Sequence, residues 1–198
     1  MPKILLCPVT SNSTLPGVPV GRVGVGTLAS LRGIPPRAGP ILSFEGRQPY
    51  IDGQAVQFQD ISEELLQAVI HAAASLFGDL WLGPMVQVTG LGQRTLQRDR
   101  IAKHGLPVHV LVMLGNASFA TPPKAFGHLL LSVAAIWEDV GKSDPFHQDG
   151  SDALSSQGLD ELADRLQGLV EHARLTVNTL RDEAETARQI RRSLETNR

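Results

Sequence analysis

The run Leu106-Pro107-Val108-His109-Val110-Leu111-Val112-Met113-Leu114 decides how the middle of this chain is read. It is nearly continuous in apolar and β-branched residues, the composition of a strand buried on both faces. Upstream, residues 85–89 alternate as a second strand, and residues 94–104 read as a short polar helix between the two. Further upstream, Ile61, Leu65, Val69, Ala72 and Leu76 recur at helical spacing behind Asp60 and Glu63, a variant of the capping box, which predicts a helix over 60–77. Downstream, Thr121 caps a helix with Pro122 and Pro123 in its first turn and Phe126, Leu130, Val133, Trp137 and Val140 on one face. The order helix, strand, helix, strand, helix makes residues 60–142 a small mixed core. It is α/β with parallel strands if residues 94–104 are helical, and α+β with an antiparallel pair if they form a loop.

Outward from that core the composition changes on both sides. Eight of the 13 prolines fall in residues 2–49 and eight of the 19 glycines in residues 17–53. Proline lacks an amide proton and glycine loses the most backbone entropy, so residues 1–59 are expected to be an extended arm with short strands. Val18, Val20, Val23, Val25 and Leu28 give it one apolar edge, which must lie along its own domain or a neighbouring subunit. Asp52-Gly53 predicts a type I′ hairpin between residues 48–51 and 54–58, with Pro49 confining the first strand to an edge.

On the C-terminal side, residues 143–157 read as a Gly, Ser and Asp linker, and residues 158–198 as one long amphipathic helix. Leu159, Leu162, Leu166, Leu169, Ala173, Val177, Leu180, Ala184, Ala187, Ile190 and Leu194 recur every three or four residues, the coiled-coil period with one stutter at 169–177. A helix of that length reaches about 60 Å, longer than a core of this size covers, so part of the seam needs a partner. Leu162, Leu166, Leu169, Val177, Leu180, Ile190 and Leu194 are the expected oligomerisation residues, with the first three also suited to anchoring the helix on its own chain.

The 198 residues suit one domain with appendages. Eighteen basic against 20 acidic residues give a net charge of −2, which provides no global attraction to nucleic acid or to an anionic membrane. Nine aromatic residues, most at apolar helix or strand positions, supply no stacking platform, so nucleic acid is not expected as a specific partner. No apolar run approaches the ~20 residues of a bilayer span and no export signal is evident, so the expected setting is cytoplasmic or an assembled particle. The single Cys7 rules out an intramolecular disulfide and a cysteine metal site.

Catalytic patterns are missing. Gly24-Val25-Gly26-Thr27-Leu28-Ala29 meets the loose dinucleotide pattern without the strand and helix it requires. Ser118 follows an apolar run but lacks the glycines of a nucleophile elbow. His71 and His128 fall on polar helix faces, His172 flanks the long-helix seam, and His109 shares a strand face with Leu111 and Met113, where a hydrogen-bonded core imidazole is the reading. His147 with Asp144, Asp149, Glu138 and Asp139 is acidic but matches no metal-ligand spacing, and no cofactor is expected. One anion site has local support: Gly90 and Gly92 follow an expected strand and precede Arg94, Arg98, Arg100 and Lys103, with Asp99 the one acid among them. These features predict a non-enzymatic assembly subunit that pairs with itself and with other subunits, in architecture like a component of a viral or phage particle or a contractile machine. The alternative is a small α/β enzyme or binding protein that takes a phosphorylated ligand at Gly90, Gly92, Arg94, Arg98 and Lys103.

Overall fold

A computed structural model describes residues 3–9, 15–24, 39–143 and 155–196. The fold is mixed α+β, with an N-terminal antiparallel sheet packed against helices and a long C-terminal helix. Five strands, β1 (Ile4–Leu6), β2 (Val18–Val23), β3 (Ile41–Glu45), β4 (Gln48–Ile51) and β5 (Gln54–Ala55), lie side by side in chain order. Six described helices follow: α1 (Phe58–Phe77), α2 (Leu82–Thr89), α3 (Arg98–His104), α4 (Val108–Ser118), α5 (Pro123–Ser143) and α6 (Ser156–Thr196). They make two compact units, Met1–Leu131 and Ser132–Arg198.

In the first unit the sheet is core structure. Ile4 and Leu6 of β1, Val20 and Val23 of β2, and Leu42 and Phe44 of β3 share one buried cluster with Leu65, Val69, Leu76, Met85, Ile101, Val110, Leu111 and Leu114. For Val20 and Val23 the surface along which the apolar edge lies is therefore that of their own chain, whereas Val18 is exposed and Val25 and Leu28 lie outside the described residues. Residues 25–38, including most of the dinucleotide-like pattern, lie outside the described residues. Backbone approach is close enough to require glycine at Gly21, where a Cβ would stand 2.1 Å from the Leu5 carbonyl oxygen.

The Asp52-Gly53 turn forms as expected, with positive φ at both residues. Pro49, however, sits inside the sheet, buried and opposite Phe44, because β5 pairs along the other side of β4. The proline has no N–H to give to β5, and Gln48 Nε2 instead donates to the Val56 carbonyl at 2.8 Å, completing the ladder.

Both expected strands of the middle region are helices, and every described strand pair is antiparallel. Residues 85–89 belong to α2, which buries Met85 and places Leu82 and Val86 against the core. The run 106–114 becomes α4 after Pro107, whose ψ of 141° sets the turn into the helix. Its reason is packing on two sides: Val110, Leu111, Leu114 and Ala117 face the core, while Gly115 lets the helix sit on the sheet, a Cβ there meeting the Cys7 nitrogen at 3.0 Å. An apolar run buried this widely lacks the one-sided pattern that distinguishes helix from strand. His109 is accordingly exposed rather than a core imidazole. Of residues 94–104, the helical part is α3, held by the fully buried Ile101, while Leu96 is buried in the preceding turn.

α1 begins two residues before the expected cap, with extended Gln57 at its N-cap and no side-chain capping bond. Asp60 therefore lies in the first turn, where its carboxylate meets the positive end of the helix dipole. Early in α5, Gly127 comes against α1, a Cβ there lying 2.4 Å from the Leu76 carbonyl oxygen.

In the second unit, Val140 and Leu162 are buried with Ile136, Trp137 and Leu166 around them. Ser155 opens α6, its Oγ accepting the Gly158 N–H at 3.0 Å. Arg165 reaches Asp139 and Glu161, each at 2.5 Å, on the exposed side of this junction.

Candidate functional site

Two regions carry features beyond those needed for folding. The first is a cavity of about 440 Å³ lined by Arg47, Arg94, Thr95, Arg100, His104 and Gly105. Arg47 comes from the β3–β4 turn, Arg94 and Thr95 from the turn before α3, Arg100 and His104 from α3 itself. None of the three arginines has an ion-pair partner among the described residues. A second cavity of about 360 Å³ shares Arg47, Thr95, His104 and Gly105 and adds Phe44, Phe58, Leu106 and Pro107. Gly105 is at positive φ, and Phe58 lies against its bare backbone, 3.2 Å from where a Cβ would be.

This cavity gathers only part of the expected anion site. Arg94 lines it; Gly90, Gly92, Arg98 and Lys103 do not, the last two being exposed elsewhere on the segment. Gly90 is instead the left-handed C-cap of α2, its N–H spent on the Val86 carbonyl at 3.0 Å, and the Leu91 N–H bonds Thr89 Oγ1 at 3.3 Å. Amides committed in this way do not cradle a phosphate. Arg47 carries no local signal in the sequence, since only the hairpin brings it to α3.

The second region is the distal part of α6. From residue 167 to residue 192 every described side chain is exposed, among them Leu169, Val170, Leu175, Val177 and Leu180, the last at 60%. Of the expected oligomerisation residues, Leu162 is buried against Val140 and Leu166 packs beside it, so these two hold α6 to α5 and are not free for a second chain. Leu169, Val177 and Leu180 are exposed; the side chains of Ile190 and Leu194 lie outside the described residues.

Cys7 is a buried free thiol. It is 2% exposed beside Leu5 and Phe119, and burial pushes its thiol up to about 11, outweighing the opposing pull of the Arg22 guanidinium. In the unfolded chain the thiol ionises near 9.0, so as pH rises from 9 towards 11 the unfolded state releases a proton that the native state keeps, and stability falls. Urea unfolding across that range is expected to show wild type losing on the order of 2 kcal/mol more than Cys7→Ala, whose site does not titrate. Parallel pH slopes for the two would place the thiol in a solvated environment.

Among the described residues there is no group of three or more His, Cys, Asp or Glu able to hold a metal ion, and Asp144, His147 and Asp149 lie outside them. No single described helix is long and apolar enough to cross a membrane. Comparison with protein-family models, with curated proteins and with solved structures finds no significant match to this chain.

Proposed function

We propose that this protein is a non-enzymatic assembly subunit that associates with copies of itself through the distal half of α6, as a component of a larger multi-copy particle. The observation that carries the reading is the stretch of α6 beyond Leu166, whose described side chains, large apolar ones among them, are exposed. A lone helix of this kind has little to hold it beyond propensity and short-range ion pairs such as Arg174 with Glu171, whereas burial of a side stripe is what stabilises most helices.

The pattern favours a particular arrangement. With Val170 in place of Leu169, the seam beyond Leu166 runs without a stutter: Val170, Val177 and Ala184 occupy a positions, and Ala173 and Leu180 occupy d positions. Valine at a and leucine at d suit two parallel strands. The e positions are then Arg174, Arg181 and Arg188, and Glu183 is at g. In a parallel pair, Glu183 of each chain faces Arg188 of the other; in an antiparallel pair the e positions face each other, arginine against arginine. Charge therefore selects the parallel pair.

Cysteine cross-linking tests this reading. In a Cys7→Ser background, Ala173→Cys and Leu180→Cys, made separately, are each expected to form disulfide-linked dimers under mild oxidation, because like d positions meet only in a parallel, in-register pair. A chain that sediments as a monomer at all concentrations, or one that cross-links at neither position, overturns it.

A further inference from the structure

The cavity between the β3–β4 turn and α3 has the chemistry of a ligand site. Three guanidiniums from three places in the chain line it, and none of its described lining residues is acidic, although the chain as a whole carries a net charge of −2. Like charges held around one cavity repel, and an anion between them relieves that repulsion. Arginine is the side chain whose planar fork matches phosphate oxygens two at a time, and the Thr95 hydroxyl adds a further donor. The neighbouring cavity, reached past Arg47, Thr95 and His104, is walled by Phe44, Phe58, Leu106 and Pro107, so the cationic mouth continues into apolar surface. Volumes of about 440 and 360 Å³ fall in the range of small-molecule pockets.

We propose that this pocket binds a small molecule bearing phosphate on a flat apolar body, the chemistry of a nucleotide. The phosphate lies among Arg47, Arg94 and Arg100, and the apolar body enters between Phe58 and Leu106. The lining residues all belong to the first unit and the α6 seam to the second, so this proposal does not rest on self-association.

Isothermal titration of the full chain with adenosine diphosphate, pyrophosphate and adenosine as probes tests the proposal. The diphosphate is expected to bind more tightly than pyrophosphate, and adenosine least. Arg47→Gln with Arg94→Gln and Arg100→Gln is expected to weaken the diphosphate by tenfold or more, Arg94→Gln alone by about threefold, since each charged hydrogen bond lost costs roughly that much or more. Arg98→Gln with Lys103→Gln removes like charge from the same segment outside the cavity and is expected to leave affinity within about twofold. Thermal melts of the unliganded variants establish that each is folded, and Arg94→Gln, an exposed single change, serves where the triple variant is not. No heat with the diphosphate or pyrophosphate at millimolar concentration overturns the proposal. So does an equal loss in the control pair, which would mean diffuse attraction, or equal affinity for pyrophosphate and the diphosphate, which would remove the apolar half of the site.

Discussion

Deleting residues 1–40 is expected to unfold the first unit rather than trim an appendage from it. The deletion removes β1 and β2, and with them Ile4, Leu5, Leu6, Val20 and Val23, all buried. At ~1.5–3 kcal/mol for each large apolar side chain returned to water, the loss is about 8–15 kcal/mol, as large as the whole stability of an ordinary domain. It also uncovers the faces of α1 and α4 that those strands cover and leaves β3 as a bare edge, a combination that invites aggregation. Circular dichroism and light scattering of the truncated chain check this. A soluble truncation with native helix content and a cooperative melt would show that α1 to α4 hold together without the first two strands. A milder variant addresses the same joint: Gly21→Val places a side chain where the Leu5 carbonyl oxygen stands, and is expected to lower the melting temperature by separating β1 from β2.

How legible these elements were follows from how one-sided their burial is. α1 buries Ile61, Leu65, Val69, Ala72 and Leu76 and exposes Glu63, Gln67 and His71, so its period survives in the sequence. The Asp52-Gly53 hairpin was legible for a different reason, since two consecutive left-handed residues restrict which side chains fit there. Helix α4 touches the sheet on one side and α1 on another, and the apolar residues this demands erase the period except at His109 and Asn116. Those two exposed residues lie seven apart, two helical turns, and they are the signal that distinguishes the run from a strand. In α2, five alternating residues were too few to separate a period of two from one of 3.6, and the deciding mark was Gly90, which as a C-cap closes a helix. For the cavity, Arg94 and Arg100 were legible as a local concentration of charge. Arg47 was not, because its place beside α3 depends on how the β3–β4 turn is carried by the sheet.

Val177→Asp combined with Leu180→Asp is expected to convert the associated protein to monomer while leaving the melt of the first unit unchanged. In a parallel pair both residues of both chains are buried at consecutive a and d positions, four side chains worth ~1.5–3 kcal/mol each when covered. Exposing them, and setting four carboxylates into the seam, costs about 6 kcal/mol or more, and at 1.4 kcal/mol per tenfold that weakens association by at least ~10⁴. Because Val177 and Leu180 are exposed within the single chain, at 44% and 60%, and belong to none of the buried clusters, the same change is expected to leave the folded subunit intact. Leu162→Asp is the contrasting case. Leu162 is 7% exposed against Val140, so a carboxylate there breaks the α5–α6 junction and is expected to melt the second unit early, by about 3 kcal/mol, as a buried and unpaired charge does. Sedimentation velocity over a range of concentrations, with thermal melts of both variants, separates the two effects. If the Val177 and Leu180 variant sediments like wild type where wild type is associated, the copies meet through some other surface and the distal face of α6 has a different partner.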